Sequence, residues 1–177
     1  MLYTSEEMEK RAILETAARM CAAARTAPKT KGMDGLVTCV VDGEDKDKLA
    51  ACMRELAGKL GYAFFERDAN NVDRSQAVVL FGMHEVRRDL NEGCQYCHYN
   101  DCGTCAAQDG LCAWDAVDVG IAIGSAVASA ADDRIDNRVM FSVGRAAKEM
   151  KLLGDATLVL GVPLSATGKS PYFDRKK

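Results

Sequence analysis

Five cysteines crowd into one short segment of this chain, at Cys94, Cys97, Cys102, Cys105 and Cys112. Thiolates are common protein ligands of iron–sulfur clusters and of structural zinc. Short Cys-x2-Cys spacings bring two such ligands together from a single turn. The segment at residues 93–112 therefore predicts a metal centre, and its dense set of soft thiolate ligands favours a [4Fe–4S] cluster.

Three sets of ligands are compatible with this spacing. Cys94, Cys97 and Cys102 form a C-x2-C-x4-C run, and Cys112 completes a four-thiolate set. Cys97, Cys102 and Cys105 have the C-x4-C-x2-C spacing of plant-type [2Fe–2S] proteins, but that pattern needs a distant fourth cysteine and none follows Cys112. Two Cys-x2-Cys pairs, Cys94 with Cys97 and Cys102 with Cys105, suit tetrahedral zinc, although the gap between the pairs is short for a zinc finger.

The rest of the composition restricts the class of protein. The chain has 177 residues, a net charge of −3 and 48% hydrophobic residues, which fits a single globular domain over residues 1–177. No long basic run is present, so we expect no nucleic-acid partner. The N-terminus is polar and acidic where a secretory signal would be basic and then apolar, and eight cysteines suit a reducing compartment. We therefore expect a cytoplasmic protein.

The hydrophobic pattern predicts interleaved helices and strands. Thr4 and Glu7 have the spacing of a capping box, and Gly61 is a typical residue at the end of a helix. Helices are expected at residues 6–25, 45–60, 115–132 and 145–153. Strands are expected at residues 36–41, 62–65, 77–81, 139–142 and 157–162, with a polar loop at residues 68–74. This order predicts an α+β fold, an α/β sandwich whose central sheet is flanked by helices and carries the inserted cysteine-rich loop.

The helix expected at residues 115–132 carries a face of small residues. Gly120, Gly124 and Ala128 recur four residues apart and so share one side of the helix. We expect this side to pack tightly inside the chain, and the alternatives are a contact with a second copy or a wall beside a cofactor. The most apolar part, residues 117–131, is shorter than the roughly 20 residues that a membrane-spanning helix requires, which predicts no membrane span.

Several segments resemble the uncharacterised ferredoxin domain-containing family of bacterial and archaeal proteins. The resemblance covers nearly the whole chain, and its more specific parts are the cysteine segment and PLSATGK at residues 163–169. The other segments are ARTAPKTKGMD at 24–34, ERDANN at 66–71, DVGIAIGSA at 118–126, DNRVMFS at 136–142 and GVPLSATGKSPYFDR at 161–175.

This resemblance implies an iron–sulfur protein and selects one set of metal ligands. Four cysteines match those of the family by position: Cys94, Cys97, Cys102 and Cys112. Cys105 is additional to the family pattern. The family has glycine after its first and second cysteines, where this chain has Gln95 and His98.

The order of elements also resembles the flavin nitroreductases. The Ala27-Pro28-Lys29 turn before a strand is similar to their Ala-Pro-Ser turn, and the small-residue helix and the strand ending at Pro163 follow in the same order. This resemblance implies a nitroreductase-like sheet, a homodimer, and FMN bound at the dimer interface. The Arg-Arg-Ser phosphate anchor of those enzymes would lie before Met1. The candidate phosphate contacts in this chain are therefore Lys29, Lys31, Lys169 and Arg175.

Three functions are compatible with these features. The first is an electron-transfer protein or oxidoreductase, with a redox partner protein or a small-molecule electron acceptor. The second is a zinc-binding structural or interaction module without turnover. The third is a redox sensor with an oxygen-labile cluster and Cys105 as a spare thiol. No dinucleotide fingerprint or P-loop is present and no side chain is an obvious acid or base, so catalytic residues stay unassigned.

Overall fold

Helices and strands alternate along the chain in the computed structural model, which describes residues 1–173. The helices are α1 (Ser5–Thr26), α2 (Gly43–Leu60), α3 (Ala63–Asp73), α4 (Cys102–Ala107), α5 (Ala113–Asp132) and α6 (Phe141–Glu149). The strands are β1 (Leu36–Asp42), β2 (Ala77–Met83), β3 (Asp136–Asn137) and β4 (Leu158–Ser165). Short 3₁₀ turns lie at Thr30–Gly32 and Asn91–Gly93.

The strands form one antiparallel sheet in the order β1-β2-β4-β3. The central strand, β2, pairs over its whole length with β1 on one side and β4 on the other, so that Met83 lies opposite both Leu36 and Leu158. All seven residues of β2 are buried. This confirms the expectation that the continuous apolar run at residues 77–81 is a strand covered on both faces.

Helices cover both faces of the sheet, as the predicted α+β sandwich requires. On one face, Val79 and Phe81 pack with buried side chains of α1 and α5 in a single apolar cluster. On the other face, Val78 and Leu80 pack with buried side chains of α2, α3 and α6. The alternation of side chains along β2 therefore supplies two cores, one on each side of the sheet.

The ends of the first two helices follow the signals in the sequence. The Thr4 hydroxyl accepts the Glu7 backbone N–H at 3.3 Å, and the Glu7 carboxylate accepts the Thr4 N–H at 2.7 Å, so the predicted capping box forms. Gly61 ends α2 in the left-handed conformation with φ 73°. These local signals depend on neighbouring residues alone, which is why they are readable from the sequence.

Three sequence predictions for secondary structure are wrong. The strand expected at residues 62–65 and the loop expected at 68–74 are one helix, α3, because Phe65, Asp68, Ala69 and Val72 lie on a single buried face. The strand expected at 139–142 does not form, because its second half is the start of α6 and only Met140 makes an isolated bridge, to Gly161. The helix expected at 145–153 therefore begins and ends earlier, and β4 continues past residue 162 to Ser165.

Helix α5 is longer and more exposed than its sequence suggested. Its 20 residues make it, by length and composition, the one helix within residues 1–173 that is long and apolar enough to cross a membrane, so the earlier argument from length is wrong. Core helices of globular proteins meet the same criterion, and α5 buries Val119, Ala122 and Ala126 in the first core. The expected internal packing of its small-residue face is also wrong, because Gly120, Gly124 and Ala128 are exposed.

Candidate metal centre

The cysteine-rich loop connects the end of β2 to the beginning of α5. Its central part is the short helix α4, which Asp101 caps by accepting the Thr104 backbone N–H at 2.6 Å. That backbone hydrogen bond is the main reason that the pKa of the Asp101 carboxyl lies below its usual value. The Asn91 side chain accepts the Cys102 N–H at 3.3 Å and joins the first half of the loop to α4. The loop thus holds Cys102 and Cys105 on one helical turn.

The four cysteines that match the family pattern line one small cavity. Cys94, Cys97, Cys102 and Cys112 surround a space of about 20 Å³, together with Arg88, Tyr99 and Trp114. A space of this size holds about one water molecule. Within residues 1–173 no three His, Cys, Asp or Glu side chains converge in a metal-binding arrangement. The chain therefore gathers the four thiols around a common space without bringing their sulfur atoms into coordination geometry.

Cys105 differs from the other four loop cysteines. Its side chain is fully buried and does not line the cavity. Its Sγ accepts from Arg87 Nη1 at 2.9 Å and lies 3.3 Å from the Gly110 carbonyl oxygen. Burial raises the pKa of the Cys105 thiol, while Arg87 acts to lower it and Cys97 to raise it. Cys105 is therefore held as a thiol in the interior of the loop.

Backbone handedness explains where the family uses glycine. Gln95 and His98, which follow the first two cysteines, have φ values of 55° and 65°. Both lie in the left-handed region that glycine enters without steric cost and that costs other residues about 1–2 kcal/mol. The chain therefore adopts the loop geometry that glycine would provide, with side chains at both positions.

Trp114 closes one side of the cavity. Its indole Nε1 donates to Cys94 Sγ at 3.2 Å, and its ring stacks on Tyr96 with the ring centroids 5.4 Å apart. A hydrogen bond from an indole to a cysteine sulfur stabilises negative charge on that sulfur. Trp114 is thus placed to stabilise a thiolate at Cys94.

A buried group of charges lies behind the cavity. The Arg88 side chain is 1% exposed and pairs through Nη1 with Asp115 and through Nη2 with Asp118, the latter at 2.7 Å. Both carboxylates come from α5 and are themselves buried. Burial acts to lower the pKa of Arg88, but its hydrogen bonds to both aspartates outweigh that effect and the pKa is raised. The guanidinium therefore stays charged inside the protein.

The same charges connect the cavity to the turn after α1. Asp118 accepts the Thr30 backbone N–H at 3.0 Å and the Thr30 hydroxyl at 2.8 Å. Lys31 Nζ donates to the backbone carbonyl oxygen of Arg88 at 2.7 Å. A continuous set of hydrogen bonds thus runs from the loop, through α5, to the 3₁₀ turn at Thr30–Gly32.

The structure fits an iron–sulfur cluster by its donors and by one unpaired group. Four cysteines line a single space, and an iron–sulfur cluster needs thiolate ligands. Arg88 also lines that space, and its buried Nε has no acceptor among residues 1–173. A buried N–H without a partner costs about 1–3 kcal/mol, which a group carrying acceptor atoms in the cavity would relieve.

The described candidate phosphate contacts do not line the cavity of the four cysteines. Lys29 Nζ donates to the carbonyl oxygens of Ala24, Arg25 and Ala27 at 2.6–2.8 Å, and burial lowers its pKa. Lys31 is bound to Arg88 as described. Lys169 is exposed on the segment after β4, and Arg175 lies outside the described residues. The assignment of a phosphate to these four residues stays a prediction.

The site predicted from the sequence does not include Arg88, Asp118 or Trp114, although the sequence carries a weak signal for each. Arg88 follows a wholly buried strand by five residues, Asp118 interrupts an apolar helix, and Trp114 comes two residues after Cys112. An isolated charge in an apolar segment indicates a buried partner. The identity of that partner depends on the tertiary fold, which pattern analysis does not supply.

Comparison with known proteins places the chain in a family. Residues 108–175 match the family described as "Uncharacterized protein containing a ferredoxin domain (DUF2148)". An uncharacterised protein of Archaeoglobus fulgidus is 42% identical over 183 residues, which span 99% of this chain and 98% of that protein. The chain belongs to this ferredoxin-domain family. The matched region includes Cys112 and the segment after β4, so it bears out the resemblance seen in the sequence.

Solved structures share the fold of this chain at low sequence identity. The nitroreductase CinD of Lactococcus lactis, in complex with nicotinic acid, superimposes with a TM-score of 0.56 at 16% identity over 95% of this chain and 81% of that chain. A nitroreductase of Desulfitobacterium hafniense with bound FMN superimposes with a TM-score of 0.55 at 17% identity, over 99% of this chain and 85% of that chain. NfrA2 of B. megaterium superimposes with a TM-score of 0.53 at 15% identity over 88% of this chain. The match covers only 58% of the length of NfrA2. The ferredoxin-domain protein thus has a nitroreductase-like fold.

Proposed function

We propose that this protein is an iron–sulfur redox protein that carries a [4Fe–4S] cluster on Cys94, Cys97, Cys102 and Cys112. When bound, such a cluster accepts and releases single electrons, which suits an electron-transfer protein or an oxidoreductase. The observation that supports this proposal above the others is that these four cysteines, and not Cys105, line one cavity. The ferredoxin-domain family and the nitroreductase-like fold both agree with a redox function.

The surroundings of the cavity agree with a cluster of variable charge. The Trp114 indole donates to Cys94 Sγ, and Arg88 brings a buried positive charge to the lining of the same cavity. Donors of this kind stabilise the added negative charge when a cluster is reduced. Arg88 is held by Asp115 and Asp118, so its position does not depend on the occupant of the cavity.

A zinc module is the weaker candidate. The zinc pairing needs Cys105 as its fourth ligand. In this chain, however, Cys105 is buried with Arg87 and the Gly110 carbonyl group. Cys105 does not line the cavity that Cys94, Cys97 and Cys102 line, so the zinc pairing has less support than the other set of ligands.

We also propose that the protein binds FMN, forms a homodimer and is located in the cytoplasm. FMN bound to the nitroreductase of D. hafniense supports a flavin in this fold, and the exposed small-residue face of α5 supports a contact between two copies. A flavin paired with a cluster would exchange electrons with a redox partner protein or a small-molecule acceptor. Free thiols at all eight cysteines suit a reducing cytoplasm.

Analysis of protein purified without oxygen tests this function. We expect iron and acid-labile sulfide in equal amounts, close to four of each per chain, and a brown colour that bleaches with dithionite. Flavin released by heat and detected by fluorescence would establish the FMN part separately. One zinc per chain with no sulfide would establish the zinc module instead. A cluster that is lost in air and restored with iron and sulfide, without electron transfer to any acceptor, would favour the redox sensor.

A further inference from the structure

The guanidinium of Arg88 has one nitrogen atom, Nε, that makes no hydrogen bond within residues 1–173. Nη1 and Nη2 are bound by Asp115 and Asp118, and the Arg88 side chain is 1% exposed. Nε is buried and has no acceptor in the described part of the chain. The same side chain lines the cavity formed by the four predicted cluster ligands. The side chain that carries the unpaired donor and the four predicted ligands thus line one small space.

The carboxylates are arranged so that they fix the guanidinium. Nη1 donates to Asp115 and to the Val86 carbonyl oxygen, and Nη2 donates to Asp118, which leaves Nε as the guanidinium nitrogen without an acceptor in the described part of the chain. Asp118 is in turn held by the backbone and the hydroxyl of Thr30. Arg88 therefore has little freedom to turn its Nε toward another group of the protein, and the cavity that Arg88 lines is the space where an acceptor could be bound.

We propose that Arg88 is a positioning residue that tunes the redox centre, with its Nε–H donating to a sulfur atom in the cavity. A buried positive charge and a hydrogen bond to sulfur both favour the more negative, reduced form of a cluster. Arg88 thereby raises the reduction potential. This inference rests on the proposed function, because it requires a cluster in the cavity.

Hyperfine spectroscopy of the unaltered protein is the direct test. The protein is labelled with ¹⁵N-arginine, loaded without oxygen, reduced with dithionite and measured by HYSCORE on the paramagnetic cluster. We expect a ¹⁵N coupling that persists in Arg87→Lys, whose guanidinium lies beside Cys105, and disappears in Arg88→Lys. The absence of an arginine coupling from the unaltered protein, or its loss in Arg87→Lys alone, would overturn the proposal.

Redox titration measures the consequence. In Arg88→Gln we expect the ratio of reduced to oxidised cluster at a fixed solution potential to fall at least tenfold, which corresponds to about 59 mV for one electron. Arg88→Lys keeps the charge but lacks Nε, so we expect a smaller fall. The matched control is Arg19→Gln, which removes the same charge from a side chain that is 54% exposed on α1, and we expect less than a twofold change.

The outcomes separate this inference from the function on which it depends. Protein without iron or sulfide overturns both. A loaded cluster whose titration is the same in Arg88→Gln and in Arg19→Gln overturns only the role of Arg88. Arg88→Gln leaves two buried carboxylates without their cation, and if that variant does not fold, the ¹⁵N measurement on the unaltered protein still decides.

Discussion

Cys102 and Cys105 are three residues apart on the same short helix, yet their side chains have different surroundings. Cys102 is half-buried and lines the cavity with three other cysteines. Cys105 is fully buried and is bound to Arg87. Spacing along the chain alone does not separate the two, and the family pattern separates them only by position. Their contacts give a physical reason to assign one as a ligand and the other as part of the loop interior.

Exchanging each of these cysteines for serine tests the ligand assignment. We expect Cys102→Ser to lose most of its iron and sulfide, because an alcohol is a poor ligand of iron in a cluster. Cys105→Ser should keep both, since its sulfur faces Arg87 and not the cavity. Iron and sulfide analysis of the two variants, purified side by side without oxygen, provides the measurement. Retention by Cys102→Ser together with loss by Cys105→Ser would reverse the assignment.

At the scale of elements, helix α6 lies directly on strand β4. A Cβ atom at Gly144 would come within 1.9 Å of the Val159 carbonyl oxygen, which leaves no room for a side chain. Lys148 of the same helix donates to the Thr157 carbonyl oxygen at 2.8 Å. These contacts place α6 directly against the start of β4.

Gly144→Ala should therefore destabilise the fold by about 1–3 kcal/mol or more, as overpacked cores usually do. The matched control is Gly58→Ala in α2, where an added Cβ meets nothing within 4 Å. That substitution should stabilise the protein by up to about 1 kcal/mol, because alanine has the higher helix propensity. Urea unfolding followed by circular dichroism measures both. Equal unfolding free energies for the two variants would contradict the close packing of α6 on β4.

The elements that the sequence predicts well are those set by local chemistry. The capping box at Thr4, the glycine at the end of α2 and the apolar run of β2 all depend on near neighbours. Helix α3 was not predictable in this way, since its short segment carries aromatic residues that favour strands and polar residues that favour loops. Its helical form follows from packing against α2 and α6, which are distant contacts.

At the scale of the whole molecule, one face of α5 has no partner among residues 1–173. Ile121 is 42% exposed on this helix, and Gly120 and Gly124 are open to solvent. Small residues allow two backbones to approach closely, and apolar neighbours then gain from burial. A second copy of the chain fits such a face because two identical helices can bury it together.

Ile121→Glu should therefore weaken the proposed homodimer, because a carboxylate would be buried at the contact. The matched control is Leu60→Glu at the end of α2, whose side chain is 41% exposed and lies away from α5. Light scattering after gel filtration should give twice the mass of the chain for the unaltered protein and for Leu60→Glu. Ile121→Glu should shift toward the mass of one chain. A single-chain mass for all three proteins would exclude the dimer.

Residue type and spacing were enough to propose ligands for the site but not to predict the contacts that support it. The five cysteines predict a metal loop, and that ligand set stays a prediction. The buried Arg88 pairs and the role of Thr30 depend on residues that are 27 to 88 positions apart in the chain. Such contacts carry no local pattern and appear only when the sheet has brought β2, α5 and the turn after α1 together.

The left-handed backbone at Gln95 and His98 has a consequence for how this loop is recognised in other sequences. A steric penalty of about 1–2 kcal/mol per residue is small beside the roughly 10–16 kcal/mol with which a structural metal can bind a folded peptide. Evolution can therefore exchange glycine for a bulkier residue here without losing the loop. A sequence pattern that requires glycine after each of the first two cysteines will miss such chains. A pattern that requires only the cysteine spacing will retain them.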